Sequence, residues 1–194
     1  MTMGGNMRQA WVGLRFLVVM TVVLGILYPL AVFAVGRVVP GTADGSLVTN
    51  ASGSVVGSRL IGQSFTGDQW FWPRPSAAGA GYDAMSSGGS NLGADNPQLV
   101  KLVRDRLDSI TSAEGVAPGL IPPDAVAASA SGLDPDISPG YAWQQVGRVA
   151  RARGLDRAAV AALVEQQTQG RLLGFIGEPR VNVLALNLAL SRLT

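Results

Sequence analysis

Apolar residues are distributed unevenly along this chain. The densest run, FLVVMTVVLGILYPLAVFAVG, fills the 21 positions between Arg15 and Arg37 without a charge. A helix needs about 20 mostly apolar residues to cross a bilayer, so the pattern predicts one transmembrane helix over 16–36. A removable signal peptide is the rival reading, since Ala34-Val35-Gly36 resembles a small-residue cleavage site, but its apolar region should run only about 7 to 15 residues. Within the helix, Thr21 and Gly25 are small and four apart, which would let another helix pack closely. Pro29 should free the Gly25 carbonyl and bend the helix.

Beyond the run, the pattern becomes that of a folded domain. Residues 1–15 form an N-terminal tail, and 37–46, punctuated by Pro40, Gly41 and Gly45, read as a linker. Residues 47–194 suit a single domain in size. SVVGSRLIGQSF, 54–65, reads as a strand with a bulge or bend at Gly57 or Gly62. Residues 66–97 form a long loop rich in Gly, Pro, Ser and Ala. Asn96-Pro97 then caps a helix with Leu99, Val103, Leu107 and Ile110 as its buried stripe and Gly115 as its stop. Pro122-Pro123 can open a short helix through 124–129. Ser138-Pro139 starts a helix with Val146, Val149 and Ala150 inward, and Gly154 ends it. Asp156 starts another that stops near Gly170, with Leu155 and Val160 as a hydrophobic staple. The tail predicts a turn over 177–179, a strand near 181–183 and a last apolar helix. The fold class is therefore α+β: an N-terminal single transmembrane helix followed by one mixed α/β domain, placed outside the cytoplasm by its charges.

Charge supports that orientation. Arg8, Arg15 and the terminal amine precede the span and only Arg37 closely follows it, so the positive-inside rule puts the N-terminus in the cytoplasm and the domain in an extracytoplasmic space. Residues 38–194 carry 12 Lys and Arg against 13 Asp and Glu, a net of −1, so nucleic acid is not an expected partner. Arg148, Arg151, Arg153 and Arg157 cluster near a helix end and read as a solvated face complementing its dipole. The chain has no cysteine and no histidine, which removes thiol catalysis, the Ser-His-Asp triad and the commonest transition-metal ligand. No catalytic residue and no metal site is expected. A Ser-Lys pair using Lys101 stays formally open.

Several phrases occur in a telling order: GSRLIGQSF, RPSA (74–77), SGGSNLG (87–93), SGLDPDISP (131–139) and GEPRVNVLALNLAL (177–190). Together with the anchor they make the chain resemble the KdpC family, the C subunits of bacterial potassium-transporting P-type ATPases, over nearly its whole length. The resemblance implies a single-pass, non-catalytic accessory subunit in the cytoplasmic membrane, in a complex for high-affinity ATP-driven potassium uptake. Its implied partners are a potassium-pathway subunit, the P-type ATPase catalytic subunit and a very small stabilising subunit, besides the lipid bilayer. It further implies support of assembly and a raised apparent ATP affinity. ATP and potassium would be handled by the complex, with no cofactor held firmly by this subunit. The family often has histidine where this chain has Asp136, so a role needing an imidazole is not expected here. A membrane-anchored extracytoplasmic binding module or hydrolase is the alternative.

The candidate contacts follow. Ser87, Gly88, Gly89, Ser90 and Asn91 resemble the signature by which ABC transporter domains contact nucleotide, and a glycine-rich loop before a helix can hold an anion. The loop lacks the GK[ST] of a phosphate loop, so a turn delivering the Asn96 cap is the competing reading. Gln144 and Gln145 sit early in a helix and offer one side chain to a partner or a nucleotide, Gln144 being the nucleotide candidate, with solvent exposure as the default. Trp70, Phe71 and Trp72 read either as a core cluster or as an interface anchor. Arg74, Asp134 and Asp136 join Thr21, Gly25, Trp70 and Trp72 as partner-contact candidates. The two aspartates are oxygen donors near an implied ion entrance, or turn and capping residues beside Asp-Pro and Ser-Pro steps.

Overall fold

A computed structural model describes residues 3–50 and 52–193. The chain divides into two compact units at Ser46/Leu47. The first is one continuous helical rod: α1 (Met3–Val22), a π-helical turn (Val23–Leu27) and α2 (Tyr28–Val38). Helix is therefore present on both sides of the 21-residue apolar run. Gly4–Val38 is long and apolar enough to cross a membrane and is wholly unburied within the chain. The π turn sits immediately before Pro29, and the Tyr28 N–H donates five residues back to Val23 O. A proline cannot donate to the carbonyl four residues earlier, and a widened turn re-partners backbone groups locally. Pro40 and Gly41, expected to keep the linker irregular, instead begin the one-turn helix α3 (Pro40–Ala43), because proline suits a first helical position.

The second unit opens with a hairpin, β1 (Leu47–Thr49) and β2 (Val55–Ser58). Its register jumps from Val48↔Gly57 to Thr49↔Val55, leaving Val56 as the extra residue of a bulge. The strand expected over 54–65 thus ends at Ser58. The Gly62 N–H is given to Leu133 O at 2.8 Å, and a Cβ there would lie 2.5 Å from Asp134 O, so the segment leaves the hairpin to pack on the loop over 129–135.

The helices follow the caps read from sequence. α4 (Pro97–Glu114) begins at Asn96, whose side chain accepts from Gln98 N, and ends at Gly115 with φ +68. α5 (Pro123–Val126) is shorter than expected. α6 (Pro139–Arg153) is capped by Ser138 and closed by left-handed Gly154, and α7 (Arg157–Gln167) is capped by Asp156. α8 (Val183–Leu190) starts at Asn182, which also ends a strand. Three short strands, β3 (Asp136–Ile137), β4 (Thr168–Gln169) and β5 (Arg180–Asn182), form an antiparallel sheet ordered β3-β5-β4. Neither β3 nor β4 was legible as a strand, since each is two residues long. The core joins Val146, Val149 and Ala150 of α6 to Val160 and Val164 of α7, Leu186 and Leu190 of α8, Ile110 of α4 and Phe71 of the long loop. The unit is a mixed helix and small-sheet domain.

Candidate functional site

The expectation of a solvated arginine face fails at Arg148. Its side chain is 3% exposed and pairs with Glu114, 1% exposed, at 2.7 Å. It also donates to Asp68 O, Trp70 O and Gln145 Oε1 at 2.7 to 2.9 Å, and its guanidinium carbon stands 3.7 Å from the Trp72 ring centroid. Arg153 donates to Gln69 O and lies over Trp70 at 4.4 Å. A planar guanidinium offers five donors and an apolar face, so one side chain can satisfy several turned-in carbonyls while stacking on a ring. Burial raises the Glu114 carboxyl above its usual range, and the bond and charge of Arg148 pull it back.

Two buried amides complete this clamp. Asn187 accepts from Phe71 N at 2.9 Å and donates to Phe71 O at 3.0 Å. Gln145 does the same for Trp72, at 2.6 and 3.2 Å. A side-chain amide presents one acceptor and one donor as a neighbouring strand would, so consecutive residues of an extended segment are satisfied from opposite sides. Phe71 is fully buried and belongs to the core, while Trp70 and Trp72 are half-buried with their faces taken by Arg153 and Arg148. Sequence reasoning took Arg148 for part of a solvated face, passed over Glu114 and Asn187, and singled out Gln144 rather than Gln145 as the nucleotide candidate. The available signs were polar residues interrupting apolar stripes, Gln145 and Arg148 on α6 and Asn187 within VLALNLAL. Gln144 lies half-buried next to Gln145, and both its amide atoms are enclosed without a hydrogen-bond partner.

Arg74, Asp134 and Asp136 do come together. They line a cleft of about 440 Å³ with Asp124, Glu178 and Arg180. Arg74 Nη1 donates to Asp134 Oδ2 at 2.8 Å, Asp134 Oδ1 accepts the Asp136 N–H at 3.0 Å, and Asp136 pairs with Arg180 at 3.0 Å. Asn182 bridges Asp136 Oδ1 and Arg59 O. Burial pushes the Asp136 carboxyl up, against the Asn182 bond and the Arg180 charge. Asp124 accepts from Ser138 N and Oγ. These carboxylates are paired with arginines or fixing turns and caps, and among the described residues no group of three metal-ligating side chains converges.

The SGGSN loop lies against a second turn. Ser87 Oγ and Gly88 N both donate to Ser131 O, at 2.9 and 2.8 Å, and a Cβ on Gly89 would sit 3.0 Å from Ala130 O. Neither glycine is left-handed; Asn91 is, with φ +51. Ser90 is exposed, and residues 92–95 separate the loop from the Asn96 cap. In the helical unit, Thr21 and Gly25 share a face: a Cβ on Gly25 would meet only Thr21 Cγ2, at 4.0 Å.

A family described as KdpC, K+-transporting ATPase, c chain, matches residues 10–192. The chain belongs to the KdpC family. It is 59% identical over 184 residues to a "Potassium-transporting ATPase KdpC subunit" of Kineococcus radiotolerans, covering 95% of this chain and 93% of that protein. A protein of the same description from Geobacter sulfurreducens is 49% identical, covering 96% and 99%. One from a Caulobacter species is 54% identical, covering 86% and 85%. The matched residues 10–192 take in most of the apolar helix and all the residues of the clamp and the cleft. The matched span includes every phrase that carried the resemblance.

Proposed function

We propose that this KdpC-family chain is a non-catalytic accessory subunit of a potassium-transporting ATPase, whose role is to hold the pore-forming and ATP-hydrolysing subunits, with the small stabilising one, in a working assembly. One observation carries the reading: the charged and amide side chains of the clamp and the cleft are used internally. Arg148, Glu114, Gln145 and Asn187 clamp the 68–72 segment, and Arg74, Asp134, Asp136 and Arg180 pair with one another. That leaves rigid, exposed surfaces as the functional feature. A raised apparent ATP affinity follows in this proposal from assembly of the catalytic subunit, not from nucleotide held by Ser87–Asn91 or Gln144. Potassium and ATP stay with the partner subunits.

Co-purification from native membranes in mild detergent tests the subunit reading. The chain should emerge with large polytopic partners, and its recovery solely as a monomer would overturn the proposal. Gly25→Leu, which places a bulky side chain where a neighbouring helix would approach, should lower recovery of that complex, by about 1 to 2 kcal/mol of association. Unchanged recovery would assign assembly to the second unit alone. The proposed orientation, N-terminus inside and residues 47–194 outside, predicts that a reporter fused after the last residue is active only if it functions outside the cytoplasm. A fused cytoplasmic reporter that is active would reverse it.

A further inference from the structure

The arm between β4 and β5 ends in an unusual tip. Leu172 and Ile176 exchange backbone hydrogen bonds at 2.9 Å in both directions, and Gly174 N and Phe175 N donate to Arg171 O and Leu172 O inside the turn. Yet Leu172, Leu173, Phe175 and Ile176 are 67%, 76%, 73% and 47% exposed. Four large apolar side chains at one loop tip are not the scattered exposure of an ordinary surface. Leu173 is also left-handed, with φ +53. Asn or Gly would hold that conformation with less strain, so the leucine side chain is explained by what it meets outside the chain.

We propose that residues 172–176 insert into the interfacial layer of the bilayer to which this chain is anchored, a proposal that rests on the membrane-spanning reading of 16–36. Hydrocarbon penalises unpaired backbone, and the tip pairs the N–H groups of Leu172, Gly174, Phe175 and Ile176 within itself, which lowers the cost of seating the turn at the shallow, partly hydrated edge of the bilayer. At its base stand two half-exposed arginines, Arg171 paired with Glu178 at 2.7 Å and Arg180 paired with Asp136 at 3.0 Å, whose long side chains can reach headgroup phosphates once the tip is inserted. Only residues 39–46 separate the spanning rod from the second unit, and such a short tether keeps the tip at high effective concentration near the membrane.

The chain has no cysteine, so Phe175→Cys gives a unique site for an environment-sensitive fluorophore. The full chain is placed in nanodiscs with and without nitroxide-labelled phosphatidylcholine, alongside Val32→Cys in the apolar helix and Met85→Cys on an exposed loop. The expected result is strong nitroxide quenching and several-fold reduced iodide access at 175, quenching at 32, and neither at 85. Quenching at 32 with free iodide access at 175 overturns the insertion and leaves the anchor standing. Protection at 175 that arises only when partner subunits are present, without nitroxide quenching, overturns it in favour of a protein socket. No quenching at 32 or 175 overturns both readings.

Discussion

Arg148→Met should destabilise the second unit by about 3 to 5 kcal/mol, read as a lowered unfolding midpoint of the full chain in detergent by near-ultraviolet circular dichroism. Methionine keeps some volume and removes every donor, so Glu114 is left as an unpaired buried carboxylate while the carbonyls of Asp68 and Trp70 lose their partner. The deficit should depend on pH. Burial, the largest influence on Glu114, raises its folded pKa, so the stability tied to its proton is present below the unfolded value and lost as pH rises through the folded one. Without Arg148 only the weaker Arg151 charge opposes burial, the folded value rises further, and the deficit narrows as pH falls toward the carboxylate range. Adding Glu114→Leu should restore part of the loss, because replacing both members of a buried pair by apolar groups is far milder than removing one. A neutral Arg148→Met would mean that the 68–72 segment is held by its two amides alone.

Gly132→Ala should be nearly as damaging, at about 2 to 5 kcal/mol. Gly132 has φ +67, and a Cβ there would lie 2.5 Å from Gly88 O, 2.6 Å from Ala78 N and 2.8 Å from Ala78 Cβ. Two of those contacts are backbone, so the SGGSN loop and the turn at Ala78 would have to move apart. Gly88→Ala is the control. A Cβ there meets nothing within 4 Å and its backbone is not left-handed, so it should be close to neutral or slightly stabilising. The paired result in thermal melts would locate the glycine requirement in the 129–132 turn beneath the loop. Equal loss at both positions would refute that.

Local chemistry explains why much of this architecture is legible from sequence. Asn96-Pro97, Ser138-Pro139 and Asp156 each satisfy a helix's first N–H groups with a side chain a few residues away, and Gly115 and Gly154 each supply the left-handed residue that stops one. The rod before Arg37 is just as local, since a long uncharged apolar run decides a helix by length alone. Pro29 announced a disturbed helix, though not that a π turn would absorb it. The family phrases lie mostly in the loops between these elements, with GEPRVNVLALNLAL on β5 and α8.

What sequence by itself determined, then, is the spanning-length helix, the capped helices of the second unit and the KdpC-family membership. The tertiary structure decided the rest. Gln145 pairs with Trp72 while the enclosed amide of Gln144 has no hydrogen-bond partner, Arg148 leaves its arginine cluster for Glu114, 34 positions away, and Asn187 reaches back 116 positions to Phe71. Two-residue strands such as β3 and β4 have no pattern of their own and exist only because β5 lies between them. Caps and apolar runs are short-range and leave a local pattern. Whether a polar side chain is buried and paired depends on what distant segments bring beside it, and no stretch of sequence read alone contains that partner.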